Sequence, residues 1–154
     1  MLRKFEYVNR VKSTGYETKD PGFELPKRST KNSCGYDFIN PETVIINPLE
    51  IKYVKTGVKA YFLPDEMLIL ANRSSNPKKK GLVLANGIGI VECDYADSDE
   101  NEGELAFAFM NITNKPVTIE KGEKLGQGIF VKFLTTDDDN AEGKRCGGWG
   151  STGK

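Results

Sequence analysis

The stretch ELAFAFMNIT (residues 104–113) decides the fold class of this 154-residue chain. In an extended strand Leu105, Phe107 and Phe109 fall on one face, and Ala106 and Ala108 on the other. Both faces are apolar, so the strand is read as buried on both sides. Its neighbours carry the same signal. TVIIN (43–47), LEIKYVKTGVKAYF (49–62), MLILANRSS (67–75), GLVLANGIGIVE (81–92), PVTIE (116–120) and LGQGIFVKFL (125–134) are rich in β-branched and aromatic residues. Leu125, Gln127, Ile129, Val131 and Phe133 are expected to share one face. Gly and Pro break these runs at intervals of about ten residues, the spacing of a sandwich, jelly roll or barrel. One short helix is expected near Asn76–Lys80, capped by Ser75. From Thr135 the chain turns acidic and then glycine-rich. The reading is therefore an all-β domain over residues 1–134 and a mobile C-terminal arm over 135–154.

Composition removes whole classes of function. Lys plus Arg and Asp plus Glu number 22 each, a balance that argues against a nucleic-acid partner. No apolar run approaches the ~20 residues of a membrane span, and MLRKFEYVNR lacks the apolar segment of a signal peptide. Cys34, Cys93 and Cys146 form no C-x-x-C pair, which suits a reducing cytoplasm. The chain has no histidine. That excludes a Ser-His-Asp triad and the usual zinc sites, and leaves acid–base chemistry to carboxylates, Tyr, Lys or Cys. A metal would be a hard, oxygen-bound one such as Mg²⁺.

Three patterns are decoys. Lys78-Lys79-Lys80 reads as a solvated face. DYADSDENEGE (94–104) misses the EF-hand template, because the sixth residue from Asp97 is Glu102 rather than Gly; it reads as an acidic hairpin loop. GGWGSTGK (147–154) fits G-x-G-x-x-G, but no helix or later acid can follow it as a dinucleotide fold requires.

Five short stretches remain, each at a strand end or turn. They are Cys34-Gly35-Tyr36-Asp37-Phe38, Asn72-Arg73-Ser74-Ser75, Leu84 to Tyr95, Gly122 to Gln127, and Arg145 to Gly153. In this order and spacing they resemble the five motifs of the trimeric dUTP diphosphatases, over about residues 30 to 153. The resemblance implies a jelly-roll-like β-barrel, a homotrimer with three shared sites, and hydrolysis of dUTP to dUMP and pyrophosphate with Mg²⁺. It implies that the glycine-rich arm is a lid over a neighbour's site rather than a P-loop. Arg145, Ser151 and Thr152 would then bind the terminal phosphate, Trp149 would stack on the base, and Gly150 would allow close backbone approach. Arg73 and Ser74 would bind phosphate oxygens, with Ser75 supporting their turn, and Gln127 would contact the phosphate nearest the sugar. Asn86 and the backbone of the hairpin through Gly89 would read uracil. Tyr95 would pack under the deoxyribose and exclude a 2′-hydroxyl. Asp37 would reach Mg²⁺ through water, the phosphates themselves holding the metal.

The chain departs from that family at the residue that matters most. Where the family has an aspartate that activates water, this chain has Glu92, one methylene longer. A displacement of about 1 Å can cost on the order of 10²-fold in rate. Either the site has adjusted, or turnover is reduced, or the chain is a nucleotide-binding or regulatory protein on the same scaffold. Asp94 is the nearest other acid, expected on the same face as Glu92 by strand alternation. Trp149 stands where the family usually has Phe, and Cys146 has no assigned role. A dCTP deaminase, of the same fold, is disfavoured because ELAFAFMN has no acid after Glu104.

Overall fold

The computed structural model describes residues 3–9 and 24–145. Its strands, all antiparallel, are β1 (Lys4–Tyr7), β2 (Tyr36–Ile39), β3 (Val44–Ile46), β4 (Ile51–Lys55), β5 (Val58–Tyr61), β6 (Glu66–Asn72), β7 (Leu82–Leu84), β8 (Gly89–Glu92), β9 (Ala106–Asn111), β10 (Val117–Ile119) and β11 (Lys124–Lys132). Among the described residues a short helix, α1 (Asn76–Lys80), joins β6 to β7. The main sheet runs β2-β11-β6-β8 and a second runs β4-β9-β7, with pairs β1-β5 and β3-β10. The fold is all-β and jelly-roll-like.

ELAFAFMNIT behaves as its pattern requires. It supplies β9, the centre of the second sheet, and residues 105 to 109 are all buried. Phe107 and Phe109 face the core, their rings stacked at 5.8 Å, and Phe107 meets Phe38 of β2 edge-on at 5.5 Å. Leu68, Leu70, Leu82, Leu105 and Leu125 fill the space around them.

Several local expectations are corrected. LEIKYVKTGVKAYF is two strands of different sheets. Gly57 turns the chain at φ 72°, and the buried Thr56 hydroxyl donates to Leu105 O at 2.8 Å. Leu125 and Gln127 do not share a face. The register of β11 against β2 slips between Lys124 and Gln127, and this bulge exchanges the two sides. Beyond it Gly126, Gly128 and Phe130 turn to the core, and Gln127, Ile129 and Val131 turn outward.

Asn86–Val91 is a corner rather than a hairpin, because β7 and β8 lie in different sheets. The acidic loop likewise links two sheets, and opens with a 3-10 turn at Cys93–Tyr95. Ser75 precedes α1, but its side chain makes no capping bond; Gly81, at φ 63°, closes the other end. Of the three lysines, Lys78 and Lys79 are solvated, whereas Lys80 is half-buried against Glu123 at 2.6 Å. β1 and β2 carried no strand assignment from sequence.

Candidate active site

The outward face of the main sheet organises the predicted residues. Strand registers align Glu92 with Met67 and Val131, Ile90 with Ile69 and Ile129, and Ala71 with Gln127 and Asp37. The middle of this face is apolar. Polar groups stand at two diagonally opposite corners.

At one corner, the turn after β6 presents Arg73, Ser74 and Ser75. Asn72 Oδ1 accepts from Arg73 N at 2.9 Å and from Asn76 Nδ2 at 2.8 Å, and Asn76 also donates to Leu125 O at 2.9 Å. These bonds hold the turn against β11. The Arg73 guanidinium reaches Lys124 O at 3.5 Å. Lys124 Nζ donates to Asp37 Oδ2 at 2.6 Å and to Ser29 Oγ at 3.0 Å, and Ser29 donates to Asp37 at 2.6 Å. Burial opposes ionisation of Asp37, but the bonds from Lys124 and Ser29 and the charges of Lys124 and Arg73 outweigh it. Its pKa is lowered and it is a carboxylate at neutral pH.

Gln127 lies beside Asp37 in the sheet, its amide over the backbone of Gly35. A Cβ on Gly35 would come within 2.1 Å of Gln127 Oε1 and 3.1 Å of its Cβ. The far end of Gln127 can swing away, so Gly35→Ala should displace the amide with little cost to the fold. The expected result is a melting temperature within a few degrees of the parent and roughly tenfold weaker nucleotide binding, the loss of about one good hydrogen bond to a charged group. Calorimetric titration beside a thermal melt checks it; a large drop in melting temperature would mean that Gly35 serves the fold instead.

At the opposite corner, β8 ends at Glu92 and the 3-10 turn carries Asp94 and Tyr95. Alternation does not extend past Glu92, because the chain stops being a strand there. The two acids still converge. Arg145 Nη2 donates to Glu92 Oε2 at 2.7 Å and its Nε to Asp94 Oδ1 at 2.9 Å. The same guanidinium lies 5.6 Å from the centre of the Tyr95 ring. Glu92 nonetheless keeps 55% of its side chain exposed, so water reaches it. Burial first, and the Asp94 charge second, push the Cys93 thiol above its usual range, which leaves it an unreactive neighbour.

Asn86 is exposed at the tip of the corner between β7 and β8, where Gly87 takes φ 73°. Gly89 is buried against Leu70, 3.1 Å from the position its Cβ would take. Glu104 is committed to the fold, accepting from Gly57 N at 2.8 Å. Trp149, Gly150, Ser151, Thr152 and Cys146 lie outside the described residues. Sequence reasoning missed Lys124, Ser29 and Asn72 as partners. Lys124 and Asn72 stand inside recognised motifs, but nothing in their spacing announces a bond to Asp37 or to the Arg73 turn.

The residues could hold a metal only with help. Among the described residues no three of Asp, Glu, Cys or His cluster as a cage. Asp37 is ionised but already neutralised by Lys124. That donor set fits a Mg²⁺ carried mainly by phosphates and touched through water, rather than a dedicated ligand cage. Among the same residues no helix is long and apolar enough to cross a membrane.

Comparison with known proteins points to one family. The dUTPase family model matches residues 22–153. A deoxyuridine 5′-triphosphate nucleotidohydrolase of Lactococcus lactis is 46% identical over 154 residues, covering 99% of this chain and 98% of that protein. The crystal structure of the dUTPase from Streptococcus mutans is 42% identical with a TM-score of 0.77, covering 86% of this chain and 98% of that one. A more distant likeness, at 19% identity and TM-score 0.69, covers 93% of this chain and 98% of an Asp-to-Asn mutant dUTPase from phage phi11 of S. aureus, described with a structural Mg(II) ion.

Proposed function

The chain belongs to the dUTPase family, and we infer that it hydrolyses dUTP to dUMP and pyrophosphate at sites built jointly by the subunits of a homotrimer. One observation carries the shared-site reading. Gln127 and Glu92 are four residues apart along the sheet and two strands apart across it. At about 3.3 Å per residue and 4.8 Å per strand their backbones lie roughly 16 Å apart. One α-phosphate cannot meet both in a single chain. A neighbour packed on the apolar face between them supplies the missing corner.

The chemistry then divides as follows. Arg73, Ser74 and Gln127 hold phosphate oxygens, with Ser75 supporting the turn and Lys124 keeping Asp37 ionised. Asn86 and the backbone through Gly89 read the uracil edge, and Tyr95 packs on the deoxyribose. Mg²⁺, when bound, neutralises and orients the triphosphate. Glu92 takes a proton from the water that attacks the α-phosphorus; the bond to the β-phosphate bridging oxygen breaks, and pyrophosphate leaves. Arg145 exchanges its carboxylate partners for the terminal phosphate as the arm closes, bringing Trp149, Gly150, Ser151 and Thr152 over the nucleotide. The protein works in the cytoplasm, where lowering dUTP limits uracil entry into DNA.

A binding protein without turnover is not favoured, since Glu92 keeps a water-facing carboxylate and the 46% identical relative is a nucleotidohydrolase. The test is pyrophosphate release from dUTP and from dCTP, with mass measured by light scattering. Release from dUTP alone, by a trimer, is expected. A fully active monomer would refute the shared site; no release from either nucleotide would refute the hydrolase.

A further inference from the structure

The acidic loop after Tyr95 carries no role in the reading above, yet it is built around the Tyr95 phenol. Tyr95 is 5% exposed. Its hydroxyl donates to the backbone oxygen of Glu104 at 3.1 Å and accepts from Asn101 Nδ2 at 2.7 Å. Asn101 is itself fixed. Its Oδ1 accepts from Ser98 Oγ at 2.8 Å and from Gly103 N at 3.0 Å. Backbone bonds Ser98 N to Tyr95 O, Glu102 N to Ser98 O and Glu104 N to Asn101 O close the loop on itself. Gly103 has φ 75°, and a Cβ there would fall 2.5 Å from Tyr95 O, so this closure requires glycine.

One partner satisfies a buried phenol's donor. Glu104 O is that partner, so the bond from Asn101 is not needed to avoid an unpaired hydrogen. What it adds is orientation, because a hydroxyl held by both a donor and an acceptor fixes the ring's far end. Asn101 also borders a cavity of about 260 Å³ shared with Tyr53, Lys55, Glu104 and Ala106, so its side chain is not walled in on that side. Over the ring lies Arg145, which pairs with Glu92 and Asp94.

We propose that Asn101 is a positioning residue for Tyr95, and that through it the loop sets the preference for deoxyribose over ribose. This rests on the reading of Tyr95 as the residue beneath the sugar. An apolar wall rejects an added hydroxyl only weakly, by about 10²-fold, and only if it does not yield. A tether that stops the ring yielding is therefore a direct means of keeping that discrimination.

Asn101→Ala should lower the ratio of kcat/KM for dUTP over UTP by roughly tenfold, mainly by admitting UTP. Tyr95→Phe, which loses that bond together with the one to Glu104 O, should lower it at least as much, and the double variant no further than Tyr95→Phe alone. Asn101→Asp keeps acceptors for Ser98 and Gly103 and lets the phenol donate to the new carboxylate, so it should fold as the parent does and keep the discrimination that Asn101→Ala loses. Tyr95→Phe leaves the bonds of Asn101 to Ser98 and Gly103 in place, which keeps the test open if Asn101→Ala is unstable. Binding of non-hydrolysable dUTP and UTP analogues, measured by calorimetry with Mg²⁺, gives the same ratio without turnover. If the parent prefers the deoxy analogue and both Asn101→Ala and Tyr95→Phe keep that preference, or lose both nucleotides equally, the role of Asn101 is wrong while the reading of the site stands. If the parent binds neither analogue, both fall together.

Discussion

Glu92→Gln lowers kcat for dUTP by roughly 10²–10⁴-fold and leaves nucleotide affinity within a few-fold. The amide matches the carboxylate in size but cannot accept the proton of the attacking water. The fold is not at stake: Glu92 ends β8 with its side chain largely in solvent, and Arg145 retains Asp94 at 2.9 Å. Glu92→Asp separates two accounts of the longer side chain. If Glu92 is a working base, the shorter acid should do no more than about tenfold harm. A rise of about 10²-fold would instead mean that the parent is misplaced by about 1 Å. A rate indifferent to both changes would remove Glu92 from the chemistry and leave Asp94 as the remaining acid. Single-turnover rates with saturating nucleotide decide among these outcomes.

The second large effect is expected from deleting residues 145–154. Residues 134 to 144 are exposed throughout, and Arg145 returns the chain to the Glu92 corner. Little core is lost, so the melting temperature and the light-scattering mass should match the full chain. Catalysis should not survive as well. Arg145 contributes a charge-assisted pair to phosphate, and the arm excludes water from it; kcat/KM is expected to fall by about 10²–10³-fold, as when an oriented donor to a developing charge is removed. Trp149 is the only tryptophan. Its emission in the full chain should change on adding dUTP with Mg²⁺ and much less with dCTP. Full activity in the truncated protein would rule out the arm as a lid.

Much of this architecture was legible because burial writes itself into composition. ELAFAFMNIT could only be a strand covered on both sides, and β-branched runs located most of its neighbours. Pairing between distant strands was not legible. Nothing in LGQGIFVKFL announces the bulge that reverses its faces, since that depends on its register with β2. Nor does GLVLANGIGIVE reveal that its halves belong to different sheets. The site was legible as five motifs; of their described residues Asp37, Arg73 and Gln127 stand at one corner of the main sheet and Glu92, Tyr95 and Arg145 at the other. Lys124 and Asn101 escaped notice for the same reason: each acts through a side-chain bond to a residue whose position only the folded chain supplies.

The diagonal placement of those corners bears on inheritance. In an assembly closed across the apolar face, each chain lends one corner to one site and its opposite corner to another. Two alleles damaged at opposite corners therefore restore whole sites when their products mix, because some neighbours meet through intact corners. Two alleles damaged at the same corner restore none. A chain damaged at one corner costs only its own share, because its intact corner completes a site with a sound neighbour, whereas a chain damaged at both corners spoils the sites of its neighbours, so in a cell expressing both copies it depresses the output of the better.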